Sequence, residues 1–275
     1  MKSIFYHSAD HDGHCSGAIV KDYCEKNNFG YNLSPINYGD PIPDFTGMDV
    51  IMCDFSLPRK QMETALQQAN SFIWIDHHIS AIKEMDGLKI DGIRDTTFAA
   101  CELTWMFFYP DFKIPKGVTY FGAYDSWRHN GDMDILGYEW FYRGIETDPQ
   151  VFNWDDEVFS DSFSKIENAI KIGKYLYQKD LKDWSYQMKN AIERDINGKR
   201  VICLNTQSRG SMIFGDKLKE YDYAVVCYLT DKGWKSSLYS RPGGLDVSVV
   251  AKSFGGGGHA NAAGCITERP IWELK

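Results

Sequence analysis

No two cysteines in this chain lie closer than nine residues: the seven, at 15, 24, 53, 101, 203, 227 and 265, form neither a CxxC zinc pair nor the dense spacing of a disulfide framework. They read as buried thiols in a reducing compartment. Long apolar runs are also missing. Nothing approaches the length of a membrane span, and the N-terminus offers only Ile4, Phe5 and Tyr6 before polar residues begin, too little for a secretory signal. The expected location is the cytoplasm, with no membrane partner. Positive charge is in deficit, 30 Lys and Arg against 38 Asp and Glu, a formal balance of -8. That disfavours a protein holding long duplex nucleic acid by phosphate neutralisation, and an anionic substrate would need a local source of positive charge. Repeats and low-complexity tracts are absent. Apolar and aromatic residues are plentiful, at 43% and 15% of 275 residues, enough for the core of one large domain or two modest ones.

The fold class this predicts is α/β. Through residues 1–150 short apolar runs alternate with helical patterns, as expected for a parallel sheet with crossover helices. SIFYH, DVIMCDFS and SFIWIDHH read as strands. GHCSGAIVKDYCEKN, RKQMETALQQAN after Pro58, and TTFAACELTWMFFY with Thr96 or Thr97 as cap read as helices. VTYFGAYDSW is a buried strand or a helix end; periodicity does not choose. Residues 151–197 are charged, glycine-poor and helical in pattern, a connector. Asn197-Gly198 then marks a turn, and 198–275 forms a smaller α/β domain with RVICLN, DYAVVCYLT and WKSSLYS as strands and a short helix running into four glycines and His259.

In an open parallel sheet, ligands gather at the carboxyl ends of the strands. His7, Asp10 and Asp12 follow the first strand, Asp54 ends the second, Asp76, His77 and His78 end the third, and Asp125 ends the next apolar run. One aspartate after a strand is commonly a cap or turn residue. Carboxylates delivered to one edge by four elements are different, because they repel unless a cation compensates. Oxygen-rich donors with a few imidazoles suit manganese, magnesium or iron, and the surplus of ligands points to two ions sharing a carboxylate, an arrangement that can activate water against phosphorus. His11 and His14 are expected at the solvent or helix surface. A zinc site from His7, His11 and His14 is conceivable but leaves Asp54, the Asp76-His77-His78 triplet and Asp125 unexplained.

These motifs resemble the DHH superfamily of phosphoesterases over nearly the whole chain. HSADHDG, MCDFS, IDHH and YFGAYDSW look like its four motifs in order, and FGGGGHANAAG is similar to the GGGH motif of the smaller C-terminal domain called DHHA1. The resemblance implies that His7, Asp10 and Asp54 hold one ion, and that Asp12, Asp54, His77 and Asp125 hold the other. It implies manganese as the usual ion, Asp76 as the residue orienting the imidazoles, and His78 as a catalytic helper facing the substrate. The glycine tract has its own logic, since Gly256, Gly257 and Gly258 let backbone amides approach an anion and His259 can donate to a phosphate oxygen; such tracts are equally often plain loops. Where relatives carry Arg in an SLRS-like segment, Tyr239 stands here, with Arg241 as a possible substitute. Trp127 and Arg128 are candidates to stack a base and hold a phosphate, or else a core Trp with a surface Arg.

The function implied is that of a two-metal hydrolase, an oligoribonuclease-like phosphodiesterase or exonuclease turning short RNA or linear dinucleotides into mononucleotides. It would use a water activated between the ions and closure of the second domain over the substrate. The alternatives are a cyclic nucleotide or cyclic dinucleotide phosphodiesterase, a nucleotide 3'-phosphatase of the pAp type, and a nucleotide-binding regulatory protein without hydrolysis. A homodimer through the first domain is a family-level expectation.

Overall fold

The computed structural model describes residues 1–207, 210–258 and 260–274. Two compact units divide the chain, Met1–Tyr177 and Gln178–Lys275. The first runs β1 (Lys2–His7), α1 (His11–Lys26), β2 (Tyr31–Ile36), β3 (Asp49–Cys53), α2 (Arg59–Gln68), β4 (Ser71–Ile75), α3 (Ile79–Glu84), α4 (Ala100–Phe108), α5 (Lys116–Asp125), α6 (Met133–Tyr142), a π turn at Asp155–Phe159, and the start of α7 (Phe163–Gln187). The second contains β5 (Ile192–Ile196), β6 (Lys199–Asn205), a 3-10 stretch at Ser211–Glu220, β7 (Tyr223–Thr230), β8 (Gly233–Tyr239), α8 (Val247–Ser253), β9 (Gly257–Gly258) and β10 (Ala262–Thr267).

The first sheet is wholly parallel, in the order β2-β1-β3-β4. Its central strands are near-continuous apolar runs because both faces are covered. Ile4, Ile51, Cys53 and Ile75 meet Val20, Cys24 and Leu103 of α1 and α4, while Phe5, Met52 and Trp74 meet Met62, Ala65, Ala81 and Met85 on the α2/α3 side. A further core joins the outer face of α1 (Cys15, Ala18, Ile19) to Phe121, Tyr138, Tyr142, Trp154 and Ile166. Strand order reverses between β1 and β3, and at such a switch point a crevice opens beyond the carboxyl ends of the strands. Two glycines tighten that end. A Cβ on Gly13 would overlap the His7 carbonyl, and one on Gly17 would overlap the Tyr6 ring, so α1 can start directly over the end of β1 only with glycine at both positions.

The second unit is a mixed sheet, β5-β6-β7-β8-β10-β9, with β6 and β7 parallel and the other pairs antiparallel. Its core holds Val201, Cys203, Val225, Leu238, Val247 and Ala251. The expected Asn197-Gly198 turn is present, with φ of 53° and 76°, the pair of left-handed residues of a tight hairpin.

Of the two readings of VTYFGAYDSW the helix holds, and Asp125 is delivered by the end of α5. Other expectations give way. Residues 192–196, read as part of a helical connector, form strand β5, whose pairing with β6 overrides the local pattern. Helix α4 is capped at Ala99, not at Thr96 or Thr97; Glu102 Oε2 accepts from Ala99 N at 3.1 Å, whereas Thr97 N donates to Asp95 in the preceding turn. Strand β2, helix α6 and strand β10 carried no signal that was recognised, and β2 is an edge strand whose Pro35 and polar residues blur its alternation. All seven cysteines are buried thiols. Among the described residues, no helix is long and apolar enough to cross a membrane.

Helices α6 and α7 cross where Gly137 and Gly173 meet: a Cβ on Gly173 would overlap the Gly137 carbonyl. Gly173→Ala is therefore expected to destabilise the chain by about 1–3 kcal/mol through overpacking, despite alanine's better helix propensity. A urea titration of wild type and variant checks this, the variant unfolding at the lower midpoint.

Candidate metal centre

Register brings the strand ends level. Cys53 pairs with Tyr6 on one side and Ile75 on the other, so His7, Asp54 and Asp76 emerge side by side at the sheet edge. Asp54 N donates to Ile75 O at 2.9 Å, and Asp54 sits at φ 56°, a left-handed conformation that aspartate tolerates better than most residues. Asp10 caps α1, accepting from Gly13 N at 3.0 Å. Asp12 lies in the first turn of the same helix, with both oxygens held by the start of α4: Ala100 N donates to Oδ2 at 2.9 Å and Cys101 N to Oδ1 at 2.7 Å.

The side chains converge as three overlapping groups, two of them a histidine with two aspartates and the third Asp54 with His77 and His78. His7 Nδ1 lies 3.2 Å from Asp10 Oδ2 and 3.5 Å from Asp54 Oδ2. His77 Nε2 lies 3.2 Å from Asp125, 3.4 Å from Asp54 Oδ1 and 3.5 Å from Asp12. Each triad, His7/Asp10/Asp54 and Asp12/His77/Asp125, has its candidate ligand atoms within 4.8 Å of one another, and Asp54 presents one oxygen to each imidazole. His7 Nδ1, Asp54 Oδ1 and His77 Nε2 are buried without a hydrogen-bond partner among the described residues. Leaving such atoms unsatisfied costs about 1–3 kcal/mol each. Cations at the two triads would satisfy all three, so the donor set fits a pair of divalent ions.

The electrostatics report the same crowding. Burial, with the Asp54 and Asp125 charges, pushes the Asp12 carboxyl well above the usual carboxylate range. Burial and the charges of Asp10 and Asp54 lift Asp125 to about 8. Burial works against ionised His7, but the close carboxylates of Asp10 and Asp54 prevail and raise it to about 11; His77, with Asp54, Asp12 and Asp125 around it, rises to about 10. Asp10 is held down to about 2 because its contact with His7 outweighs burial.

Asp76 is fully buried, and its Oδ1 accepts from His77 N at 2.7 Å, His78 N at 3.1 Å and His78 Nδ1 at 2.8 Å. It thereby fixes the ring of His78. His11 and His14 are partly buried rather than fully at the solvent surface. His11 Nδ1 meets the buried Glu139 at 3.0 Å, and His14 Nδ1 meets Thr147 at 2.9 Å, so each imidazole is tied to α6 or the segment after it and the three-histidine zinc grouping does not form. Arg128 is paired with buried Glu102 and lies over the Phe98 ring, while Trp127 is 61% exposed at φ 59°. Glu102 and Glu139 were missed; the signal available was an acid deep inside an apolar helical run, Glu102 in ACELTWMFF and Glu139 in the ILGYEWFY part of MDILGYEWFY.

In the second unit, His259 lies outside the described residues. Gly255 and Gly256 close α8: Gly255 adopts φ 78°, and Gly256 N donates to Ala251 O at 2.8 Å, the Schellman arrangement. Gly256 and Gly258 also pack where a Cβ would overlap β10, whereas Gly257 borders open space. Of the three predicted contact glycines, only Gly257 has no packing reason to be glycine. Arg241 is exposed and donates to Lys219 O at 3.2 Å; the Tyr239 hydroxyl accepts from Gly210 N at 3.0 Å.

No family model matches the chain. Among curated proteins, the uncharacterized protein R106 of Acanthamoeba polyphaga mimivirus is 28% identical over 290 residues, covering 95% of this chain and 66% of that protein, so the chain spans just under two thirds of this relative. Two solved structures superpose over nearly the full length. An exopolyphosphatase-related protein from Bacteroides fragilis gives a TM-score of 0.57 at 16% identity, over 99% of this chain and 88% of that one. The pGpG-specific phosphodiesterase PggH from Vibrio cholerae gives 0.52 at 12%, over 96% and 92%. The fold is theirs. It is the α/β architecture expected from the sequence, with the strand-end residues of the first sheet gathered at one edge.

Without metal, the folded chain keeps protons on Asp125 to about pH 8 and on His7 and His77 to about 11 and 10, against about 3.9 and 6.5 when unfolded. The folded state binds more protons throughout that window, so stability falls as pH rises from about 4 to about 10. Thermal melts in EDTA are expected to show this fall. Mn2+, by displacing those protons, should raise Tm most at the alkaline end.

Proposed function

We propose that the chain is a DHH-superfamily phosphoesterase that uses two divalent cations to hydrolyse short oligoribonucleotides or linear dinucleotides to mononucleotides. The observation that carries this is the pair of ligand triads with Asp54 between them. His7, Asp10 and Asp54 would hold one ion, and Asp12, Asp54, His77 and Asp125 the other. Manganese is the ion proposed, with magnesium and iron compatible with the same donors. Bound there, the ions would acidify a water and neutralise charge on the phosphoryl oxygens, so no Ser or Cys nucleophile is needed.

The chain's own groups do the rest. Both Asp12 oxygens are oriented by α4 amides, which fixes the carboxylate before any ion arrives. Asp76 binds His78 at Nδ1 and so orients the ring, which supports a proton-handling role for His78 at the substrate. Burial disfavours the His78 cation, but Asp76 outweighs it and raises the imidazole's pKa, which suits a group that steadies charge on a leaving oxygen.

Likeness in fold to a pGpG-specific phosphodiesterase supports a dinucleotide-sized substrate. The excess of acidic residues disfavours long polymers. The second unit is proposed to be DHHA1-like, with Gly257 as the point of close backbone approach to an anion. Seven buried thiols fit a reducing compartment, and the cytoplasm is the one proposed.

The test is turnover of pGpG, pApA, two- to five-nucleotide RNAs, a cyclic dinucleotide and pAp, each with Mn2+, Mg2+ or Fe2+. Linear dinucleotides are expected to be cleaved fastest, and a panel left intact with every metal ends the proposal. His78→Ala should lower kcat about 10²–10⁴-fold while the ions stay bound. Asp12→Ala should lose one ion together with turnover.

A further inference from the structure

Arg128 stands three residues after Asp125 and was a candidate to grip a substrate phosphate, but its guanidinium is already engaged. One end pairs with Glu102 Oε2, Nε donates to Ser126 Oγ at 2.8 Å, and Ser126 Oγ in turn donates to Gly122 O at 2.6 Å. The Glu102 side chain is 2% exposed and that of Arg128 34%. The same Glu102 oxygen also accepts from Ala99 N, the cap of α4, whose next two amides hold Asp12. A Cβ on Gly122 would overlap the Glu102 carboxylate, so glycine there lets α5 lie directly against it.

These contacts form one unbroken path: Asp12, the first turn of α4, Glu102, Arg128, Ser126, and the end of α5 that carries Asp125. We propose that the Glu102–Arg128 pair is a strut that sets the separation of Asp12 and Asp125, making both positioning residues for the ion shared by Asp12, His77 and Asp125. The inference rests on the metal reading above. An ion held by ligands from α1, the segment after β4 and α5 needs them fixed to within a fraction of an ångström; the apolar core seats Val118 and Phe121 of α5 against α1, and the polar path fixes the end of α5 that carries Asp125. Breaking a buried pair leaves a charge uncompensated and lets the helices shift. Lysine at 128 keeps the charge but cannot reach Ser126 and Glu102 with one planar fork.

Mn2+ titration of the full chain, followed by electron paramagnetic resonance, provides the test on wild type, Glu102→Gln, Arg128→Lys, Arg128→Met and the Glu102→Gln/Arg128→Met double variant. Wild type is expected to take two ions. Each single variant should weaken one of them about 10–100-fold and leave the other unmoved. The double variant should be no worse than the weaker single, because one interaction is lost in both. Turnover lost in the variants should return with excess Mn2+. Circular dichroism identifies any variant that fails to fold; should Arg128→Met do so, Glu102→Gln and Arg128→Lys decide. Two ions bound as tightly in the folded variants as in wild type overturns the strut alone. Wild type that binds no Mn2+ removes the metal reading and the strut with it.

Discussion

Four aspartates and two imidazoles meet at one edge of a buried parallel sheet, and mutual repulsion among the carboxylates sets the terms for what surrounds them. Left to themselves, Asp12 and Asp125 retain protons far above the usual carboxylate range and the two histidines hold theirs well into alkali. Protons relieve that repulsion in the metal-free chain, and cations beside the three orphaned atoms His7 Nδ1, Asp54 Oδ1 and His77 Nε2 would relieve it further. Ions held there would give an acidic protein a local positive field.

The fold answers the repulsion with backbone dipoles as well. Helix α1 begins at Asp10 and α4 begins at the carboxylate of Asp12, so two helix N-termini aim their unsatisfied amides at the same cluster. The reversal of strand order between β1 and β3 makes room for this convergence, and Gly13 permits α1 to start directly over the end of β1. Flanking that centre are two buried carboxylates with more exposed partners, Glu102 with Arg128 and Glu139 with His11 and Arg143, which tie α4 to the segment after α5 and α6 to α1.

Much of this could be read from the chain. The apolar runs at 4–6, 50–53 and 72–75 announce strands covered on both faces, and polar residues directly after them had to lie at one sheet edge whatever the loops did. The pattern failed where a long-range contact outweighs a local one. Ile192–Ile196 is helical in composition but pairs with β6, and Ala99 caps α4 because Glu102 reaches back to it, a contact no cap preference encodes. Arg128 looked like a phosphate ligand because it stands beside Trp127, just after the candidate metal ligand Asp125; its partner Glu102 lies 26 residues earlier on α4, which periodicity cannot reveal. The glycine tract mixed two demands, since Gly255 and Gly256 end a helix and only Gly257 is left bare.

Asp10 uses its two oxygens for different purposes. Oδ1 accepts the Gly13 amide that starts α1, and Oδ2 faces His7 across the cluster. The rotamer that suits the helix is thus the one that would suit a cation beside His7. Side-chain freedom is surrendered when the polypeptide folds instead of at the moment of ion capture, and the pocket meets its guest already set.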